Sequence, residues 1–374
     1  MDMPPPQADT FDIAPARLTI DAGAIAANWR ILAERCGRAE TSAVLKADAY
    51  GLGAPPVARA LARAGCRTFF VATVTEGVEL RRTLPEARIF VLSGIWGGWE
   101  KDCFANGLIP VIASIEQLDF FRALGRVHPH ALYVDTGMNR LGLSPEEAAS
   151  LSAAGAQAPD MLMSHLACSD EPSHPLNRQQ LQSFQAITQL FAGIESSLSS
   201  SGGIFLGPEY HFDLTRPGIA LYGGESVCGV VNPMRPVVTA EARILQIRNV
   251  AAGGKVSYGA TQTLARDSRV AVVGAGYADG WQRSLSGSGV ALRKTGSPGA
   301  FGFVAGRKVP VIGRVTMDLT MFDITDIAES QVKTGDYVSL FGNGITLDEA
   351  ARAAGTIGYE LLTSLGKRYE RRYV

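Results

Sequence analysis

The 374-residue chain is 46% hydrophobic and 19% charged, with 36 Asp and Glu against 35 Lys and Arg and a formal net charge of −1. Such a balance excludes a disordered polyelectrolyte, and the scattered basic residues exclude the dense cationic footprint of a nucleic-acid or membrane-surface binder, leaving a small molecule as the expected partner. The length exceeds the ~100–200 residues of one ordinary domain and predicts about two.

Residues 1–15 open with MDMPPPQADTFD, acidic and proline-rich where a secretory signal needs a basic start and an apolar stretch, so they read as a tail and not as a leader. The following RLTIDAGAIAANWRILAERCG passes from an alternating strand into a helix that Asp21 is suited to cap, with Ile25, Trp29 and Leu32 on one face. Cys36, Cys66, Cys103, Cys168 and Cys228 are widely spaced, without CxxC or Cys/His ligand spacing. They read as small, buried, reduced thiols, which points away from a disulfide framework and from a metal site and towards a reducing compartment. No apolar run approaches the ~18 residues of a membrane helix. The cytoplasm is the expected location.

From Ser42 a rhythm sets in. Short apolar runs (AVLKA, FFVAT, IFVLSG, PVIAS, ALYVDTG, MLMSHLA, SSLSSSGG, FDLTRPGIALYGG) alternate with amphipathic helical stretches such as PPVARALARAG and NRQQLQSFQAITQLF, eight strand positions in all. Alternating strands and helices imply parallel pairing, and eight units over roughly 200 residues fit a closed (β/α)8 barrel of the TIM type. A doubly wound sheet is the alternative, although no GxGxxG follows the first strand. Near Met234 the texture changes to β-branched alternating runs split by glycine turns, with one late helix in TLDEAARAAG. The expected organisation is a barrel over 16–234, whose first strand could instead join the later sheet, followed by a mostly β domain over 235–374.

Reactive groups in such a barrel sit at the C-terminal ends of the strands. Lys46 ends the first strand, His165 the sixth and Ser201 the seventh, while Arg216 lies on the eighth. A lysine buried at a strand end costs desolvation unless paired or reacted, and one relief is a Schiff base to a carbonyl cofactor. Taken by position alone, a salt-bridged or snorkelling lysine accounts for Lys46 as well.

The ordered motifs AVLKADAYGLG, VDTGMNRLGL, RPGIALYGG, KVSYGATQTL, GYADGW, GRVTMDLT and IGYELLTSLGKRY resemble those of alanine racemases, and they span nearly the whole chain. The resemblance implies a barrel that binds pyridoxal phosphate, a C-terminal β domain, and interconversion of L- and D-alanine for peptidoglycan. It also implies two bases, Lys46 as the lysine that carries the cofactor and Tyr258 on the opposite face, contributed by the partner of a homodimer. Arg216 matches the arginine that meets the pyridine nitrogen, and His165 the histidine that supports it. The phosphate is expected at Ser201, the backbone N–H groups of Gly218 and Ile219, and the hydroxyls of Tyr50 and Tyr359. SSSGG leaves the choice between Ser200 and Ser201 open.

Arg140 resembles the arginine that meets the cofactor's phenolic oxygen and the substrate carboxylate. The Met317 N–H is expected to add to that carboxylate site, with Tyr277 and Tyr359 narrowing the entry. One position departs from the family. Where many members carry a lysine carbamylated by CO2, seven residues before Arg140, this chain has Tyr133, so a bound anion or another side chain is expected to hold Arg140. A broad-specificity amino-acid racemase is the neighbouring reading. A non-catalytic barrel that only binds pyridoxal phosphate is disfavoured by the β domain that carries Tyr258.

Overall fold

A computed structural model describes residues 9–125, 127–155, 157–290 and 299–374. Internal contacts divide them into two units, Gly23–Arg235 on the one hand and the residues up to Ala22 with Pro236–Val374 on the other.

In the first unit seven short strands, Ala43–Val44, Thr68–Val71, Arg88–Val91, Ile109–Ile112, Ala131–Tyr133, Met161–Met163 and Glu195–Ser197, pair in parallel and in chain order. The strand Leu214–Thr215 closes the ring. On one side the N–H groups of Asp213 and Arg216 donate to the carbonyls of Ser196 (3.0 Å) and Ser199 (2.8 Å). On the other, Glu40, Ser42 and Val44 donate to Asp213, Thr215 and Pro217 at 2.8, 3.0 and 3.0 Å. Because these bonds leave no open edge, the unit is a closed (β/α)8 barrel and the doubly wound alternative falls away. The strands are buried over most of their length, and throughout at Thr68–Val71, since helices cover the outside while side chains fill the inside. Phe70 stacks on Phe90 with ring centroids 4.8 Å apart.

Helix starts are set by local chemistry. Thr73 and Glu76 form a reciprocal capping box at Val74–Thr83, as Ser144 and Glu147 do at Pro145–Ala153. In the helix Ala22–Cys36 the expected face is present, with Ile25 and Leu32 fully buried, while half-buried Trp29 donates its indole N–H to the Thr41 carbonyl at 3.0 Å.

The second unit is built on the long strand Val238–Val250. Its first half pairs antiparallel with both Ala16–Ile20 and Tyr337–Phe341. Past a register shift between Ile244 and Gln246 its second half pairs with Ser268–Val273. Glu370–Tyr373 adds a parallel strand beside Ala16–Ile20. Val256, Leu264, Val270, Ile312 and Met321 form a buried cluster under these strands.

Two expectations need correction. The region holds two late helices, Leu347–Ala354 and Gly358–Thr363, where the pattern indicated one. Six residues opened by a glycine are too few to display a helical period. Cys36, Cys66 and Cys103 are buried free thiols, but Cys168 is half-buried and Cys228 exposed, in loops that leave them open to solvent. Among the described residues no helix is long and apolar enough to cross a membrane, and no three His, Cys, Asp or Glu side chains converge as metal ligands.

Candidate active site

The barrel mouth is built first by the turn after its first strand. Ala47, Asp48, Ala49 and Tyr50 all adopt the left-handed region, with φ of 53, 53, 54 and 57°. For residues with a Cβ this costs roughly 1–2 kcal/mol each. The bonds that offset it are local: Ala49 N–H to Leu45 carbonyl (2.9 Å), Gly51 to Ala47 (2.8 Å), Gly53 to Asp48 (2.9 Å), and Ala54 N–H to the Asp48 carboxylate (2.6 Å). The turn directs Lys46 into the mouth and carries Tyr50 back against the barrel wall. Lys46 keeps accessible surface there. Protein packed around it, and then the Arg140 guanidinium, nevertheless push its ammonium below the ordinary lysine value against the opposing charge of Glu76.

Arg216 occupies the end of the eighth strand and is 4% exposed. It donates to the Ser197 hydroxyl, to the carbonyls of Ser164 (2.5 Å) and Leu198 (3.3 Å), and to Nδ1 of His165 at 3.5 Å. Burial lowers it to about 10, which leaves it a cation at neutral pH. Burial, followed by the charges of Arg216, Arg140 and Lys46, pushes His165 down to about 3, so its imidazole is neutral.

Arg140 is aimed by Asp135, whose carboxylate accepts the N–H groups of Gly137 (2.8 Å), Met138 (2.7 Å) and Arg140 itself (2.9 Å). Burial raises the Asp135 carboxyl, but these backbone donors outweigh it and hold the group below the usual range. Tyr133 is 8% exposed, and the charges of Arg216 and Arg140 act on its phenol. Burial pushes its pKa up despite both cations, which leaves it neutral. Gly142 makes room for it, because a Cβ there would lie 2.7 Å from the Tyr133 ring.

A cluster of hydroxyls and amides stands nearby in the sequence of strand ends. The Ser201 hydroxyl accepts the N–H groups of Gly218 (2.9 Å) and Ala220 (3.2 Å), which distinguishes it from Ser200, whose backbone bridges Arg216. Ile219 follows as the first residue of the single turn Ile219–Tyr222. A Cβ on Gly218 would fall 2.2 Å from the Tyr50 hydroxyl, so glycine is what allows that phenol to lie against the backbone. Tyr50 packs on Tyr222 at 4.6 Å, and the Tyr222 hydroxyl donates to the Val44 carbonyl at 2.8 Å. Tyr222 had escaped notice in the sequence, although its place in IALYGG marks it. Glu76 also had, although the T-x-x-E spacing of a capping box is its signal.

The second unit carries the other expected residues. Tyr258, Tyr277 and Met317 line one groove of about 830 Å³ together with Arg248, Lys255 and Asp318. Tyr258 is 73% exposed in a tight turn after Lys255–Val256, which rules out a packed strand tyrosine. Backbone bonds from Tyr277 to Thr316 (2.9 Å) and from Ala278 to Met317 (3.0 Å) join the two loops. Arg368 fixes them further, donating twice to Asp279 and once to Asp318, each at 2.7 Å. Tyr359, on Gly358–Thr363, does not line this groove.

Alanine racemase family models match this architecture in both halves, the N-terminal domain over residues 20–226 and the C-terminal domain over 237–373. The chain is 59% identical to a biosynthetic alanine racemase of Agrobacterium fabrum, covering 99% of this chain and 97% of that protein. Identity to an alanine racemase of Rhizobium meliloti is 57%, over 98% and 99% of the two chains. Among solved structures, that of alanine racemase from Bartonella henselae with covalently bound pyridoxal phosphate superposes with a TM-score of 0.88 at 38% identity, covering 96% of this chain and all of the other. Two matched domains in the expected order, with relatives similar from end to end, place the chain in the alanine racemase family.

Proposed function

We propose that this protein interconverts L- and D-alanine with pyridoxal phosphate as cofactor, supplying D-alanine for biosynthesis. The observation that carries the reading is the convergence, on one barrel mouth, of Lys46 with Arg140, Arg216 and a neutral His165. The residues fit that cofactor. An amine whose proton is held less firmly than usual suits covalent attachment to an aldehyde, and the Ser201, Gly218 and Tyr50 cluster offers the neutral donors a phosphate accepts.

When bound, pyridoxal phosphate withdraws electrons from the α-carbon of the amino acid and acidifies the proton there. Lys46 would carry the cofactor and moves that proton at Nζ on one face. Tyr258 serves the opposite face at its phenolic oxygen. Inversion requires both, because removal and return on a single face would restore the starting enantiomer. Tyr258 is open to solvent on the β unit, as a residue offered to a second copy needs to be, and the active site is completed in a homodimer. Arg216 stays a cation with no acceptor, so against the pyridine nitrogen it would donate a hydrogen bond without giving up its proton, and the cofactor would be a weaker electron sink that disfavours transamination. His165 accepts from Arg216 and keeps it oriented.

Arg140, held by Tyr133 and Asp135, binds the substrate carboxylate together with the Met317 N–H, while Tyr277 and Tyr359 restrict the entry to a small side chain. Ser201, Gly218, Ile219, Tyr50 and Tyr359 hold the phosphate. A family match over the second unit, which a barrel that merely binds cofactor would lack, supports turnover. The reading places the enzyme in the cytoplasm. To test it, the purified protein with pyridoxal phosphate is incubated separately with each enantiomer of alanine, followed by chiral chromatography. Convergence of both reactions on one near-equal mixture supports the function, and retention of the starting enantiomer overturns it.

A further inference from the structure

The left-handed turn that carries Lys46 does not stand on its own bonds alone. Its first amide, the N–H of Ala47, is donated outward to Oε1 of Glu76 at 2.8 Å. The other carboxylate oxygen of Glu76 accepts the N–H groups of Ala72 at 2.7 Å and Thr73 at 3.4 Å. A capping-box glutamate ordinarily serves only the amides at the start of its own helix. Here one half-buried carboxylate joins two loops, one following Ala43–Val44 and the other following Thr68–Val71, which are adjacent strands of the barrel.

We infer that Glu76 is a positioning residue for Lys46: it ties the left-handed turn to the helix Val74–Thr83 and presents a negative charge to the lysine. The inference rests on the proposed role of Lys46 as the residue that carries the cofactor. Two groups besides Glu76 face Lys46 electrostatically, Arg140 from the loop after Ala131–Tyr133 and His165 from the loop after Met161–Met163. Arg140 is the cation and His165 is neutral, so Glu76 is the one that favours the protonated lysine nitrogen. Its geometry is divided between the two oxygens, and glutamine can reproduce only half of it, since an amide NH2 cannot accept a backbone N–H.

The test compares Glu76→Gln and Thr73→Ala with the wild-type full-length protein loaded with pyridoxal phosphate. Hydrogen–deuterium exchange follows the peptide containing Ala47, and visible absorption of the protein-bound cofactor is titrated with pH. For Glu76→Gln we expect exchange at Ala47 to rise ~10-fold or more, the loss of a charge-assisted bond to an amide. The midpoint of the absorption titration is expected to move to lower pH, because the protonated Lys46 nitrogen loses its counter-charge. Thr73→Ala removes the hydroxyl half of the capping box without touching the carboxylate, and both readouts should stay at wild-type values. Unchanged exchange and midpoint in Glu76→Gln, or equal changes in Thr73→Ala, would overturn the inference. Borohydride reduction and peptide mapping separate this from the parent reading: label on Lys46 sustains that reading whatever Glu76 does, and label on another lysine removes both.

Discussion

Arg216 donates a guanidinium N–H to Nδ1 of His165 at 3.5 Å, and since arginine has no acceptor, the imidazole nitrogen it meets must be unprotonated. A neutral His165 accords with burial and with three neighbouring cations.

This neutrality has a consequence for acid stability. His165 titrates at about 3 in the fold, against ~6.5 for an unfolded histidine. Between those values the unfolded chain binds the extra proton, so the stabilisation is complete above about pH 6.5 and falls as the pH drops, by at most about 1.4 kcal/mol per pH unit for one group. Urea unfolding between pH 4 and 7 should show a shallower decline in His165→Gln than in the wild type. Parallel profiles would show that His165 does not carry this proton linkage.

Replacing Tyr258 by Phe removes a phenol that is 73% exposed and touches no core, so the fold and the bound cofactor should be retained. Racemisation should drop by ~10²–10⁴, the usual contribution of a positioned acid or base. Visible absorption and alanine turnover on one sample provide the check, and a variant with near wild-type turnover excludes Tyr258 as the second base.

Tyr133→Phe tests what holds Arg140. A hydrogen bond from the Arg140 guanidinium to this phenol, proposed from the charge that Arg140 exerts on it, corresponds to about 1.5–3 kcal/mol, or ~10–100-fold in kcat/KM, felt chiefly through KM for alanine. Wild-type rates should be the same in CO2-depleted and bicarbonate-supplemented buffer. Dependence on dissolved CO2, or an unchanged KM in the variant, would show that something other than the phenol positions Arg140.

Gly218→Ala places a methyl group 2.2 Å from the Tyr50 hydroxyl, so one of them must move. Cofactor affinity is expected to fall ~10-fold or more, through displaced phosphate donors. Equilibrium dialysis of pyridoxal phosphate compares the variant with the wild type. Wild-type affinity would show that the close approach of these two groups is not needed to hold the cofactor.

Much of this was legible because strand and helix periods are local. The barrel rhythm placed Lys46, His165, Ser201 and Arg216 at strand ends, and in the fold all four do follow or end strands of one closed barrel. The left-handed run was not legible. Ala47, Asp48, Ala49 and Tyr50 contain no glycine, and their local preference is right-handed, so the turn also depends on a tertiary bond, from Ala47 to Glu76, that the sequence does not display. Tyr133 was visible as an anomaly, but its place within reach of the Arg140 charge depends on how Asp135 folds the intervening loop, which spacing does not reveal.

Two bases on opposite faces form the central claim, and L-alanine in D2O tests it most directly. If Lys46 removes the α-hydrogen and Tyr258 returns a solvent-exchanged one, the D-alanine formed early carries deuterium at the α-carbon. Measurement is by chiral chromatography with mass detection over the first few per cent of conversion. Early D-alanine that retains its original α-hydrogen, or an absence of D-alanine, would contradict the account.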